Sequence, residues 1–292
     1  MIPVTVIGGY LGSGKTTLVN HLLRNANGVR LAVLVNEFGE LAIDEDLIEA
    51  QADDVISIAG GCVCCSFGSD LTAALGNMAM MDPPPNHVLI ESSGVAIPSS
   101  IVNSLVFMPA FRADGIVVLV DAETVQRSAS DKYMGDTVTR QIADADIILL
   151  NKVDLAKAGA LEATRAWLHI QNYAVRVVES IHGVVPPEIV LESFLVRARA
   201  GGKHIEPSHL DVMTLMPTGP VDARVLASAL SDLDVGLVRA KGFVTQLDGT
   251  KALIQVVGRR FDVTNAKAEK ADGIVCLGFK GLMSRKTLEA LV

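Results

Sequence analysis

A glycine-rich loop directly behind the first apolar run constrains the fold of this chain more than any other feature. The run PVTVIG at residues 3–8 leads into GYLGSGKTT at residues 9–17, which has the pattern G-x-x-x-x-G-K-[ST]. Between a strand and a helix, the backbone N–H groups of such a loop wrap a phosphate, and the helix N-terminus adds the positive end of its dipole. The alternative, a Gly-rich turn without a ligand, is disfavoured by this context. The residues predicted to bind nucleotide are Gly9, Gly12, Ser13, Gly14, Lys15, Thr16 and Thr17.

Two side chains of this loop, and one at the end of a later predicted strand, have predicted roles in chemistry. Lys15 can reach the β- and γ-phosphates and is a predicted catalytic residue, and the Thr16 hydroxyl is a predicted ligand of Mg²⁺. Glu91 ends the apolar run HVLI at residues 87–90 and is followed by Ser-Ser-Gly. A carboxylate there can take a Mg²⁺-bound water or position the attacking water, so Glu91 is a predicted magnesium and catalytic residue. A solvated glutamate at a strand end is the alternative.

A second motif indicates which base the nucleotide carries. Asn151, Lys152 and Asp154 follow the apolar run DIILL at residues 146–150, and so lie at the carboxyl end of a predicted strand. A carboxylate at Asp154 can accept hydrogen bonds from both N1–H and the exocyclic amine of guanine, a donor pair that adenine lacks. The motif therefore favours GTP over ATP, although Asn-Lys-x-Asp also occurs in ordinary turns.

The apolar runs of the N-terminal part alternate with amphipathic stretches. Continuous Val/Ile/Leu runs separated by helical patterns are typical of a parallel sheet that is covered on both faces. With the phosphate loop, they predict an α/β fold of the P-loop NTPase type with a mostly parallel, doubly wound sheet. The predicted strands lie at 3–8, 31–35, 55–58, 87–90, 115–120, 146–150 and 174–178, and the predicted helices at 15–25, 69–81, 99–107, 136–144 and 160–171.

From about residue 195 the pattern changes to strands that follow one another directly. Two of them join across Leu247-Asp248-Gly249, a hairpin turn signal, and the part as a whole reads as a small α+β domain. The predicted domains are 1–192 and 205–292, with a linker at about 193–204. Residues 1–192 carry 11 basic and 23 acidic side chains, whereas residues 193–292 carry 14 and 10, which supports this boundary.

Composition excludes several classes of protein. Half of the 292 residues are hydrophobic and 20% are charged, which excludes disorder. No apolar run approaches ~18 residues, so no membrane span is expected, and the N-terminus lacks the features of a signal peptide. The net charge is −8, without a Lys/Arg run or an aromatic stripe, so nucleic acid is not an expected partner. With only 4 cysteines, a cytoplasmic location is expected.

Three of the cysteines are crowded into one short segment. Cys62, Cys64 and Cys65 follow the apolar run VISIAG, and three thiols so close can converge on a soft or borderline cation such as Zn²⁺, Co²⁺ or Ni²⁺. A redox-reactive thiol pair and structurally incidental cysteines are the alternatives. Cys276 stands in the apolar run GIVCLG and is predicted to be a core residue.

An acidic segment follows the second predicted strand, where nucleotide switches carry the loop that senses the γ-phosphate. Glu37 or Glu40 could complete the metal site, and Asp44 could face Mg²⁺ or the attacking water as a catalytic residue. A solvated acidic loop is the alternative.

In this order, the motifs GGYLGSGKTT, VNEFGELAID, GGCVCC, LIESSG and NKVD resemble the CobW-like family of metal-chaperone GTPases, relatives of the urease and hydrogenase nickel-insertion GTPases. The resemblance extends over nearly the whole chain. It implies GTP hydrolysis with Mg²⁺, metal at the cysteine motif, nucleotide-gated delivery to a metalloenzyme client, and a homodimer that depends on nucleotide or metal. The chain departs from the family at Ala42, where members commonly have Gly, and at Ile97, where many have a polar residue.

Overall fold

The computed structural model describes residues 1–26, 28–36, 55–60, 69–173, 175–191, 210–267 and 270–292, with only the backbone for residues 36, 55–60, 69, 70 and 158. The chain divides into two compact units, Met1–Pro187 and Glu188–Val292. The predicted linker at about 193–204 lies outside the described residues, so the predicted domain limits stay predictions.

The first unit is built on a sheet of seven strands in the order β3-β2-β4-β1-β5-β6-β7, and every pairing in it is parallel. The strands are β1 (Ile2–Gly8), β2 (Leu31–Asn36), β3 (Val55–Gly60), β4 (His87–Glu91), β5 (Phe111–Asp121), β6 (Ile147–Asn151) and β7 (Arg176–Glu179). All five residues of β4 and of β6 are buried. Since side chains alternate between the faces of a strand, both faces of the sheet are covered.

Helices connect these strands and supply that cover. They are α1 (Lys15–Arg24), α2 (Ser69–Ala79), α3 (Pro98–Ser104), α4 (Val125–Ala129), α5 (Gly135–Asp144) and α6 (Ala158–Gln171), and the short helix α7 (Pro187–Val190) follows β7 at the boundary between the two units in the chain. In one apolar cluster, Leu75 of α2 and Ile101 of α3 pack with strand residues such as Val6. The prediction of an α/β part with a parallel sheet is confirmed, and the short helix α4 is an element that the sequence patterns did not predict.

A buried polar network crosses the three central strands. Thr5 Oγ1 on β1 donates its proton to Asp114 Oδ2 on β5 over 2.9 Å, and Thr5 Oγ1 also lies 2.8 Å from His87 Nε2 on β4. Because the Thr5 proton is committed to the carboxylate, Nε2 of His87 is the donor in the second bond. All three residues are at most 5% exposed, so the network satisfies polar groups that burial would otherwise make costly.

The second unit contains a five-stranded antiparallel sheet in the order β11-β10-β9-β12-β8. Its strands are β8 (Leu210–Leu215), β9 (Leu237–Thr245), β10 (Lys251–Val257), β11 (Arg260–Asn265) and β12 (Gly273–Phe279), and its helices are α8 (Ala223–Leu230) and α9 (Arg285–Glu289). Asp222 caps α8 by accepting the N–H groups of Arg224 and Val225, and Ser284 caps α9 through the N–H of Thr287. The predicted small α+β part is confirmed.

Cys276 lies on β12 in the apolar core of this unit and is 0% exposed. Burial raises the pKa of its thiol to about 12, so the thiolate form that reacts or binds metal is suppressed. The prediction that Cys276 is a core residue is confirmed.

A partly buried ion pair joins the adjoining ends of β9 and β10 to Asp272, the residue before β12. The Asp272 carboxylate accepts the Lys251 ammonium over 2.6 Å and the Thr245 hydroxyl over 2.7 Å. Burial opposes ionisation of Asp272, but the hydrogen bonds from Lys251 and Thr245 outweigh it and lower the pKa of the carboxyl group.

The stability contributed by Asp272 should therefore depend on pH. Its pKa is lower in the folded state, so the contribution is present above the unfolded value of about 3.9 and is lost as pH falls through the folded value. We expect Asp272→Asn to lower the free energy of unfolding by roughly 1 kcal/mol at pH 7, and by less at pH 3, in urea titrations. Asp262→Asn, at an exposed carboxyl group on β11, is the control. A difference from wild type that is the same at both pH values would contradict this prediction.

No helix in the described part of the chain is long and apolar enough to cross a membrane.

Candidate functional site

The loop between β1 and α1 has backbone conformations that only glycine adopts readily. Gly9 has φ 135° and Gly14 has φ 102°. A Cβ atom would lie 2.4 Å from the Leu119 carbonyl oxygen at Gly9, and 2.5 Å from Asn151 Nδ2 at Gly14. At Gly9 and Gly14, neighbouring atoms thus leave no room for a Cβ atom, so glycine is required by space as well as by dihedral angle. Gly12, at φ 73°, has open space around it.

The polar groups of this loop converge as a phosphate-binding loop requires. Lys15 Nζ donates to the Gly9 carbonyl oxygen over 3.0 Å, so the ammonium group lies across the loop. Gly14 precedes α1 and has no side chain with which to cap the first N–H groups of the helix. The Ser13 hydroxyl is buried, at 2% exposure, and has no hydrogen-bond partner among the described residues. An anion bound here would satisfy such donors.

Thr16 and Glu91, the two predicted magnesium residues, are brought together. Thr16 Oγ1 on α1 donates to Glu91 Oε1 at the carboxyl end of β4 over 2.9 Å, and Glu91 is 3% exposed. A hydroxyl and a carboxylate are oxygen ligands of the kind that Mg²⁺ prefers, so this pair fits a magnesium ion beside the phosphate loop. Thr17, the last residue of the motif, is exposed.

Asn151 connects three loops at this edge of the sheet. Its side-chain Nδ2 donates to the Ser13 carbonyl oxygen over 2.9 Å. Its Oδ1 accepts from the Ser180 hydroxyl over 3.1 Å and from the Gly183 N–H over 2.9 Å. Asn151 is 1% exposed, so these bonds form away from water. The Asn-Lys-x-Asp motif is therefore joined to the phosphate loop on one side and to the loop after β7 on the other.

Lys152 and Asp154 follow in a tight turn. Lys152 has φ 60°, an unusual left-handed conformation for a residue with a side chain, and its carbonyl oxygen accepts the Leu155 N–H over 3.1 Å. Lys152 Nζ forms an ion pair of 2.9 Å with Asp121 Oδ2 on the neighbouring strand end. Asp154 is exposed, and its carboxylate is accessible to a ligand.

Sequence reasoning missed Asp121, Ser180 and Gly183. Asp121 ends the Val-rich strand β5, at the position that Asn151 occupies on β6, and the two residues are paired in register. Its place at a strand end was therefore a usable signal, since carboxyl ends of parallel strands meet at the site edge of such sheets. Ser180 and Gly183 had no comparable signal, because no recognised motif surrounds them.

The remaining predicted site residues lie outside the described residues. They are the three clustered cysteines and three of the acidic residues after β2, namely Cys62, Cys64, Cys65, Glu37, Glu40 and Asp44. Among the residues that the structure describes, no group of three or more His, Cys, Asp or Glu side chains could hold a metal ion.

Both parts of the chain match known protein families. Residues 3–179 match the family described as CobW/HypB/UreG, nucleotide-binding domain, and residues 210–289 match the cobalamin synthesis protein cobW C-terminal domain. The chain belongs to the CobW/HypB/UreG family. The prediction of a CobW-like chain with a P-loop NTPase-type fold is thereby confirmed.

Several CobW relatives match along most of their length. The zinc chaperone CobW of a Sinorhizobium species is 30% identical over 308 aligned residues, covering 89% of this chain and 86% of the relative. The zinc chaperone YjiA of Escherichia coli K12 is 30% identical over 283 aligned residues, covering 89% and 87%. A Zn(II)-bound triple mutant of the YjiA GTPase, at 23% identity, has a TM-score of 0.50 and covers 99% of this chain and 97% of that one, which supports the fold.

Proposed function

We propose that this chain is a cytoplasmic GTP-hydrolysing metallochaperone. It binds a transition metal, zinc in the first place, at Cys62, Cys64 and Cys65, and it passes the metal to a client metalloprotein in a nucleotide-dependent way. Membership of the CobW/HypB/UreG family and the names of the two zinc chaperone relatives support this proposal.

The observation that carries GTP binding is the connection through Asn151. Its hydrogen bonds join the phosphate loop to the strand end that bears Asp154, so a phosphate group and a base recognised by these two elements belong to one ligand. Guanine presents the N1–H and amine donors that the Asp154 carboxylate accepts. Backbone N–H groups of the loop bind the phosphates, and Lys15 neutralises charge on the β- and γ-phosphates.

Hydrolysis requires that a water is positioned and that charge on the phosphates is neutralised. Mg²⁺, held by Thr16 and Glu91, supplies part of that neutralisation when it is bound. The contact of 2.9 Å between these two residues supports this role, since it brings both oxygen ligands beside the loop. Asp44 and Glu91 are the proposed residues for positioning the attacking water.

The strand register supports a connection between nucleotide and metal. Asn36, the last residue of β2, pairs with Gly60, the last residue of β3, and Val35 pairs with Glu91 of β4. The acidic segment with Glu37 and the cysteine segment therefore leave the sheet at the edge where Glu91 contacts the phosphate loop. A γ-phosphate that contacts the acidic segment would then change the geometry of the metal ligands.

The proposal is tested by the linkage between zinc and nucleotide. We expect zinc to bind more tightly in the presence of a non-hydrolysable GTP analogue than in the presence of GDP, and the analogue to bind more tightly with zinc by the same factor. Both affinities are measured by calorimetry on anaerobically purified protein. Equal zinc affinity in the two nucleotide states would contradict nucleotide-dependent binding.

Two variants locate the zinc site. Cys64→Ser should lose zinc binding and keep GDP binding, because its thiolate is removed while the phosphate loop is intact. Cys276→Ala is the matched control, since it removes a buried thiol of the second unit and should leave zinc affinity unchanged. Zinc bound as tightly by Cys64→Ser as by wild type would contradict the assignment of the cysteine motif.

A further inference from the structure

A buried glutamine on α5 holds the loop that follows Glu91. Gln141 is 1% exposed, and its Nε2 donates to the Gly94 carbonyl oxygen over 3.1 Å and to the Ala96 carbonyl oxygen over 2.8 Å. Both protons of one amide group are thus used on a single loop. Because a buried carbonyl group that loses its donor pays a desolvation cost, these bonds define where the loop lies.

The helix that carries Gln141 is itself held firmly. Asn172, after α6, donates through Nδ2 to carbonyl oxygens at the C-terminal end of α5, at 3.0 Å for Ile142 and 3.3 Å for Ala143. One turn beyond Gln141, Asp144 Oδ2 accepts the Ser99 N–H at the start of α3 over 3.1 Å. The loop of residues 92–97 is therefore bound to α5 in its middle, through Gln141, and just beyond its C-terminal end, through Asp144.

This loop reaches the phosphate loop directly. It begins next to Glu91, which accepts the Thr16 hydroxyl, and at Gly94 a Cβ atom would lie 2.5 Å from Leu11 Cδ2. Gln141 and Leu11 also line one small cavity beside the phosphate loop, together with Ser13. Any shift of the loop relative to α5 would thus move it relative to the phosphates.

The loop also carries two polar groups that its protein surroundings do not satisfy. The hydroxyl groups of Ser92 and Ser93 are buried, with the residues 0% and 7% exposed, and neither has a hydrogen-bond partner among the described residues. Buried hydroxyl groups are normally bonded, so a ligand of this region gains by satisfying them.

We propose that Gln141 is a positioning residue of the nucleotide site. From α5 it holds residues 92–97 against the phosphate loop, and it thereby supports binding of the γ-phosphate of GTP more than binding of GDP. The inference rests on the proposed GTP binding and goes beyond it, since Gln141 itself is not expected to contact the nucleotide.

The test replaces the amide with an apolar group of similar size. In Gln141→Met, both carbonyl groups lose their donor while the volume is retained, so the loop is no longer held to α5. We expect the affinity for a non-hydrolysable GTP analogue and the kcat of hydrolysis each to fall about tenfold, with GDP affinity within about twofold of wild type. Titrations with fluorescent analogues of the two nucleotides, and steady-state kinetics, measure these quantities.

Gln126→Met is the matched control. Gln126 lies on α4 and donates its amide to the Thr164 hydroxyl over 3.0 Å, so this variant also removes a helix glutamine and its hydrogen bond. It should leave the ratio of GDP affinity to GTP-analogue affinity unchanged. Equal losses of affinity for both nucleotides in Gln141→Met, or no change in either, would overturn the proposal.

A second variant keeps the test decisive if the methionine protein is unstable. Gln141→Glu retains the shape but can donate at most one proton to the two carbonyl groups, and none when it is ionised, so it should show the same selective loss of GTP-analogue affinity at pH 8. Retention of wild-type discrimination by the glutamate variant would also overturn the proposal. A different result would contradict the proposed function itself, namely that the wild-type protein does not bind GDP.

Discussion

Asp154→Asn should lower the affinity for GTP and GDP by about 10²- to 10⁴-fold. Asparagine cannot accept both of the hydrogen bonds that guanine donates to the carboxylate. Hydrogen bonds to charged groups contribute roughly 1.5–3 kcal/mol each. Asp154 is exposed, and within the described part of the chain its side chain makes no contact that holds the loop in place. The substitution should therefore leave folding unaffected. Nucleotide titration and thermal unfolding measure the two effects.

The same substitution should increase the affinity for xanthine nucleotides relative to guanine nucleotides. Xanthine presents a carbonyl oxygen where guanine has its amine, and the asparagine amide can donate to that oxygen. The Asp154→Asn variant should therefore bind XDP more tightly than GDP, which reverses the order in wild type. Loss of both nucleotides together would indicate a damaged loop, and unchanged GDP affinity would show that Asp154 does not read the base.

Asn151→Ala should cost both stability and nucleotide affinity. It leaves the Ser13 carbonyl, the Ser180 hydroxyl and the Gly183 N–H without the partner they have in the structure, and all three bonds are buried. At about 1–3 kcal/mol for each unsatisfied buried group, partly relieved by water, we expect a loss of roughly 3–5 kcal/mol in the free energy of unfolding. GDP affinity should fall at least about 100-fold, because the three loops no longer share a fixed geometry.

Asn172→Ala separates general destabilisation from damage to the site. The Asn172 amide caps carbonyl groups at the end of α5, on the same unit, and its loss should lower the melting temperature while GDP affinity stays within about threefold of wild type. Both variants are compared well below their melting temperatures. Wild-type GDP affinity in Asn151→Ala would contradict the role assigned to this connection.

The sequence predicted most elements of the fold because those elements are encoded locally. Runs such as IILLN at β6 are buried on both faces, and such runs mark parallel strands without reference to the rest of the chain. The short helix α4 was missed because its five residues carry no usable periodicity. The predicted helix at 99–107 ends at Ser104, and a 3-10 turn follows over Leu105–Phe107.

The site divides in the same way. Lys15, Thr16, Glu91, Asn151 and Asp154 belong to short motifs whose residue types and spacing identify a chemical task, so the sequence alone was enough to nominate them. Asp121 and Gln141 belong to no motif. Asp121 contacts a partner 31 residues away along the chain, and Gln141 contacts partners 45–47 residues away. A local sequence pattern does not indicate contacts between residues so far apart.

By itself, then, the glycine-rich loop determined that a strand, a phosphate-binding turn and a helix follow one another, because left-handed glycines and a buried strand are local requirements. Only the tertiary structure decided how that loop is held. Asn151 donates a hydrogen bond to the phosphate loop from the end of another strand, and Gln141 holds the loop of residues 92–97, which lies against Leu11. These contacts arise when strands and helices distant in sequence pack together, and the burial that results is what makes each hydrogen bond costly to lose.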